Sequence, residues 1–173
     1  AIEKEHLTGH VVFRNVSFSY KKGSPILKNV SFTAKTGETI ALVGPTGSGK
    51  TTIINLLSRF YNIDDGEILL DDVNIEDYKI TNVREKVGVV LQDTYLFSGT
   101  IKENIRFGRL DATDAEVVEA AKMAHAHSFI KYLPHQYETH IVSGGTNLSQ
   151  GQRQLIAIAR AILENADILI LDE

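Results

Sequence analysis

The sequence predicts an α/β fold: an N-terminal antiparallel β subdomain, a core of buried parallel strands, and a mostly helical region inserted between core strands. Three observations point there. Residues 11–34 alternate apolar and polar side chains with a period of two, as in strands with one covered face. Three short runs, TIALVG, VGVVLQ and ILIL, are apolar on both faces, which suits strands covered on both sides. Beyond residue 95 the apolar spacing becomes helical and two capping boxes appear.

Taken in order, VVFRNVSFSY puts Val11 and Phe13 on one face, then Val16, Phe18 and Tyr20 after a slip of one residue, which predicts a bulged strand. KKGSP supplies a turn, ILKNVSFTA a second strand, and KTGE a turn into TIALVG, a strand covered on both faces. A glycine-rich GPTGSGKTT follows, then Ile53, Leu56, Leu57 and Phe60 at helical spacing. NIDDGEILLDDVNI reads as an antiparallel ribbon with Asp65-Gly66 as its turn. VGVVLQ is a further buried strand. Thr113 with Glu116 opens a helix carrying Val117, Val118, Ala121 and Ala124. Ser149 with Gln152 opens another, carrying Leu155, Ile156, Ala159, Ile162 and Leu163. ILIL then returns to buried strand. The expected division is one domain in which residues 11–94 and 155–173 form the β lobe and core, and 95–154 the helical part.

Composition narrows the function. The chain has 173 residues, 43% hydrophobic and 23% charged, enough for one domain with a real core. Its net charge of −4 offers no overall basic field for nucleic acid or an anionic membrane. It has no cysteine, so no disulfide framework. Its longest apolar runs fall far short of the roughly 20 residues of a membrane helix, and the opening AIEKEHLTGH is no signal peptide, so the chain is expected to be soluble.

The chemistry sits in three stretches. GPTGSGKT satisfies G-x-x-x-x-G-K-[ST] in full, through Gly44, Pro45, Thr46, Gly47, Ser48, Gly49, Lys50 and Thr51. Glycines let successive N–H groups curl around a phosphate chain, and the helix that follows adds positive potential. Lys50 is placed to reach the β- and γ-phosphates, and Thr51 to offer a hydroxyl to Mg2+. At the other end of the chain, Asp172 at a strand terminus suits Mg2+, and Glu173 suits proton abstraction from an attacking water. Taken alone, those two acids also suit a strand end facing solvent. LSQGQRQ, residues 148–154, offers a second exposed helix N-terminus, although S-x-x-Q by itself usually marks a helix cap. His125 and His127, two apart, make a poor metal pair, and Asp64–Asp65 and Asp71–Asp72 read as turn acids in solvent. No metal site beyond Mg2+ is expected.

In order and spacing these stretches resemble the nucleotide-binding domain of an ATP-binding cassette (ABC) transporter, over nearly the whole chain. The matching motifs are residues 44–51, Gln92 after a buried strand, the signature at 148–152, and Asp172–Glu173. FSGTIKENI and LLSRFYNIDDGEILLD are similar to the exporter branch, as in multidrug, lipid and peptide exporters. The resemblance implies a P-loop NTPase with a RecA-like parallel core, ATP and Mg2+ as ligands, and ATPase activity powering efflux. It implies that Tyr20 stacks on adenine, that residues 44–51 and Thr52 hold the phosphates, and that Thr51, Gln92 and Asp172 serve Mg2+. Lys50, Gln92 and Glu173 are then the catalytic set. Ser149, Gly151 and Gln152 would grip the γ-phosphate held by a second cassette, in a head-to-tail pair at the cytoplasmic face of a membrane. The loop at Gln92 would contact the transporter's transmembrane domain, and no nucleic-acid partner is implied.

Two positions depart from the family pattern. Gln150 stands where the signature usually has glycine, and Ser143 where many exporters have glutamate. In the family, a histidine that contacts the γ-phosphate follows the acidic strand end, whereas all six histidines here precede Asp172. The chain is therefore expected to be a cassette cut at its catalytic acid, lacking the transmembrane domain and the C-terminal part, and slow in hydrolysis. Two other readings stay open: a soluble ABC-type ATPase of DNA repair or chromosome maintenance, and a non-hydrolysing partner cassette.

Overall fold

The computed structural model describes residues 1–172, which divide after Val87 into two compact units. In the first, strands β1 (Val11–Phe18), β2 (Leu27–Ala34), β3 (Asp65–Leu70) and β4 (Val73–Asn74) form an antiparallel sheet in the order β2-β1-β3-β4. Helices α1 (Lys50–Leu57) and α2 (Ile80–Lys86) complete the unit.

The slip in β1 is a real bulge. Register runs Phe13 with Phe32, then jumps to Val16 with Val30, and Asn15 takes φ 50° to absorb the extra residue. The bulge returns Val16 and Phe18 to the face already occupied by Val11 and Phe13, and all four are buried. Across it, Gly66 of β3 sits at φ 91°, where a Cβ would lie 2.4 Å from the Asn15 carbonyl oxygen. Only glycine closes that approach.

Four expectations fail here, each for a local reason. The hairpin turn is Asp71–Asp72, with φ 47° and 64°, rather than Asp65-Gly66, because a two-residue turn between twisted strands needs both central residues left-handed. Asp71 is no solvent acid: its carboxylate accepts from the Thr8 N–H at 2.6 Å, the Thr8 hydroxyl at 2.7 Å and the His10 N–H at 3.1 Å. Phe60 lies beyond the end of α1, which stops at Leu57, and is 60% exposed. TIALVG forms no strand. No ladder pairs residues 39–44 among the described residues, and Val43 is 92% exposed. An apolar run becomes a buried strand only where neighbours flank it.

In the second unit, β5 (Val87–Val90, of which Val87 closes the first unit) pairs with β8 (Ile168–Leu171), and β6 (Gly99–Thr100) with β7 (His140–Ile141). Helices α3 (Ile101–Arg106), α4 (Asp114–Met123), α5 (His127–Ile130) and α6 (Gln150–Glu164) surround a core that includes Ile101, Ile105, Val117, Ala121, Ile130 and Ile156. Burying each Ile or Val there stabilises by about 1.5–3 kcal/mol. The Thr113–Glu116 and Ser149–Gln152 boxes form as expected, and a third joins Thr100 and Glu103 ahead of α3. β5 is buried, but β8 is covered on one face only: Leu169 and Leu171 are 42% and 48% exposed, so ILIL is a half-covered strand.

Candidate functional site

The first half of the candidate site is built mainly from backbone. Residues 41–49 carry no regular structure and lead into α1 through Gly47 at φ 83° and Gly49 at φ 100°. Gly49 occupies the N-cap position of α1 and brings no side chain to bond the first-turn N–H groups, which are left for an anion. A Cβ on Gly49 would come within 2.6 Å of Leu27 Cδ2, so glycine is required by space as well as by φ. The Lys50 ammonium folds back onto the loop, donating to the carbonyl oxygens of Gly44 and, at 3.1 Å, of Pro45. Thr46, Ser48 and Thr51 are exposed, whereas Thr52 is buried.

Tyr20 stands two residues past β1 and is 44% exposed. Its hydroxyl lies 3.2 Å from Thr52 Oγ1 and accepts from Asn55 Nδ2 at 3.1 Å, while Phe18 and Tyr61 meet the ring edge-on at 4.9 and 5.0 Å. The ring is thus fixed against α1 with part of its surface open. These residues fit a triphosphate: glycine conformations, uncapped amides, a lysine ammonium and an aromatic surface belong to one unit.

The second unit carries the other predicted residues. The Asp172 N–H donates to the Val90 carbonyl at 2.8 Å, two residues before the exposed Gln92, so the two chain segments leave the short β5–β8 sheet side by side. Glu173 lies outside the described residues. Ser149 caps α6: its Oγ accepts from the Gln152 N–H at 3.1 Å, and its own N–H donates to Gln152 Oε1 at 3.1 Å. Gly151 and Gln150 are exposed, and a Cβ on Gly151 would meet nothing. Ser143 is exposed, at the start of a short 3-10 turn. His125 takes φ 61° between α4 and α5, while the His127 Nδ1 lies 2.7 Å from the Tyr137 hydroxyl.

Comparison with known proteins gives these residues a family. The profile described as ABC transporter matches residues 27–173. The chain belongs to the ABC transporter family. It is 54% identical over 173 residues to the ABC transporter ATP-binding protein YfiC of Bacillus subtilis, covering all of this chain and 29% of that protein. It is 49% identical over 171 residues to a fatty acid ABC transporter ATP-binding/permease protein of Mycobacterium bovis, covering 99% of this chain and 27% of the relative. The solved structure of a bacterial Atm1-family ABC exporter with ATP bound superposes with a TM-score of 0.91 at 42% identity, over all of this chain and 30% of that one. The chain thus spans about three tenths of the length of the relatives it matches. In this ABC family the matching part is the ATP-binding domain, the part that hydrolyses ATP. Relatives named as transporters and exporters favour that reading over an ATPase of DNA repair. Among the described residues no helix is long and apolar enough to cross a membrane.

Sequence reasoning missed the residues that brace the signature loop of this ABC domain. Arg153 Nη1 donates to the Gly145 and Leu148 carbonyls, both at 3.3 Å. Asn147 accepts from the Val142 N–H at 3.2 Å and donates to the His140 carbonyl at 3.0 Å. Both residues stand beside the motif in sequence, but their partners are backbone groups, which leave no residue-type signature.

Proposed function

We propose that this chain is the motor domain of an ABC exporter, binding and hydrolysing ATP to drive efflux across a membrane. The observation that carries the proposal is the phosphate loop: left-handed glycines, uncapped α1 amides, and a Lys50 ammonium resting on the carbonyls of Gly44 and Pro45. Arriving phosphate oxygens offer Lys50 a full negative charge instead of neutral carbonyls, and charge-assisted bonds are the stronger ones. The free N–H groups of the loop at residues 44–49 and of the first turn of α1 hold the phosphates, and the open part of the Tyr20 ring receives the adenine.

Thr51 would offer Mg2+ a hydroxyl, and Gln92 and Asp172 would offer it an amide oxygen and a carboxylate, oxygen donors of the kind that ion prefers. When bound, Mg2+ neutralises charge on the transferring phosphoryl group. Gln92 then orients the attacking water and Glu173 accepts its proton. Ser149, Gly151 and Gln152 engage the nucleotide held by a second cassette, either another copy or a paralogue. A transmembrane domain engages the Gln92 loop, which places the cassette on the cytoplasmic face of a membrane.

Lys50→Ala tests the site. In the full-length protein, calorimetry should show ATP binding lost, and turnover should fall by at least about 100-fold, the equivalent of roughly 2.7 kcal/mol of charge-assisted bonding. Unchanged affinity would remove the site assignment.

A further inference from the structure

We propose that Arg160 is a positioning residue for hydrolysis, holding the chain that follows Gln92 and fastening it to the helix that begins at Ser149. The geometry lies entirely within the second unit. Arg160 Nε donates to the Asn104 carbonyl at 2.8 Å, Nη2 to Asn104 Oδ1 at 3.2 Å and Nη1 to the Tyr95 carbonyl at 3.2 Å. The guanidinium also lies 5.8 Å from the Phe97 ring centre and 5.7 Å from that of Phe107.

Asn104 is fully buried and carries the contact onward. Its Oδ1 accepts from the Phe97 N–H at 3.1 Å, and its Nδ2 donates to the Phe97 and Thr100 carbonyls, each at 3.0 Å. A third tether joins the Gly144 N–H to the Leu96 carbonyl at 2.9 Å. The stretch three to five residues past Gln92 is therefore held at each residue, and two of the three holds pass through Arg160 or its partner Asn104.

A fork is needed at this position. Arg160 bonds three acceptors from one plane, two on Asn104 and one on Tyr95, which a lysine ammonium on a flexible stem cannot reproduce. Every one of those acceptors is neutral, and burial works against the guanidinium's charge. A half-buried cation whose bonds all go to neutral acceptors gives up hydration without gaining an ion pair, more than mere scaffolding needs. Its placement accounts for it. Arg160 sits 11 residues along α6 from Ser149, about 16 Å at 1.5 Å per residue, so one rigid helix carries the signature at its start and the brace further on. A shift of α6 when Ser149 engages a nucleotide would move Tyr95 and Phe97 with it, and through them Gln92.

This inference rests on Gln92 serving the hydrolytic site, and the test separates the two ideas. Arg160→Lys and Arg160→Met are made in the full-length protein, with Lys50→Ala as the reference for site-dependent turnover. For Arg160→Lys the expected result is kcat down about 10-fold with KM for ATP within about twofold, because Lys50 and the phosphate loop are untouched. Arg160→Met should lie lower still, so that lysine gives partial rescue. Hydrogen exchange over residues 93–97 should quicken in Arg160→Lys while α4 stays protected. A kcat for Arg160→Lys that falls only as the folded fraction falls, or unchanged exchange at 93–97, overturns the inference even if methionine prevents folding. Loss of Lys50-dependent turnover in the wild-type protein would instead remove the assigned function, and the exchange result would still decide whether Arg160 braces the loop.

Discussion

The loop at residues 44–49 and the loops of the second unit have opposite construction. The loop at residues 44–49 is held by its own backbone: two left-handed glycines, a Ser48 N–H to Pro45 carbonyl turn at 3.1 Å, and a lysine resting on carbonyls it can leave. The loops around Gln92 and Ser149 are held by side chains, Asn104 and Arg160 from farther along the chain and Asn147 and Arg153 from beside the motif. A loop that must wrap a ligand needs its N–H groups unspent. A loop that must report on one needs fixed links to the rest of its unit. Stiffness here follows from which role a loop has.

The largest effect expected from breaking this contrast is at Asn104. Asn104→Ala leaves the Phe97 N–H, the Phe97 and Thr100 carbonyls and the Arg160 Nη2 donor without their partner side chain. The expected cost is about 3 kcal/mol, the range for a buried polar network losing its hub. Denaturant unfolding measures it, and a cost under about 1 kcal/mol would mean that the brace is ornamental. The next effect belongs to the other construction. Gly49→Ala forces a Cβ against Leu27 at φ 100°, with an expected cost of about 2 kcal/mol and loss of nucleotide affinity beyond the stability change. If affinity survives Gly49→Ala, the loop is not backbone-built in the sense argued here.

The same contrast explains what the sequence revealed. The glycine-built turn into α1 was legible because glycine spacing is itself a conformational signal, and Gly47 and Gly49 are both left-handed. The bulge at Asn15 and the caps at Thr113 and Ser149 were legible for a similar reason, each being a local pattern with a local partner. The roles of Asn104 and Arg160 were hidden because their partners are backbone groups 7 or 65 residues away, and any residue type supplies a backbone. TIALVG misled because apolar composition records a preference for cover and not the presence of a neighbouring strand. Asp71 misled because a turn acid and a clamp look alike until Thr8 arrives.

Asp71 sharpens the comparison with the smallest effect, since it is a braced point inside the unit that holds the phosphate loop. Burial alone would raise its pKa, but bonds from the Thr8 amide and hydroxyl and the His10 amide, with Lys4 nearby, hold it below its ordinary 3.8. Because the folded pKa is the lower one, the contribution is complete above the unfolded value of 3.8 and disappears as pH falls through the folded value. Asp71→Asn keeps the left-handed turn, which asparagine also favours, but turns an NH2 toward one of the Thr8 donors. At pH 7 the expected cost is about 1.5 kcal/mol, and the gap to wild type should narrow steadily in unfolding experiments below about pH 4. A gap of the same size at about pH 3 and pH 7 would show that the carboxylate's charge is not what fastens residues 8–10 to the β3–β4 turn.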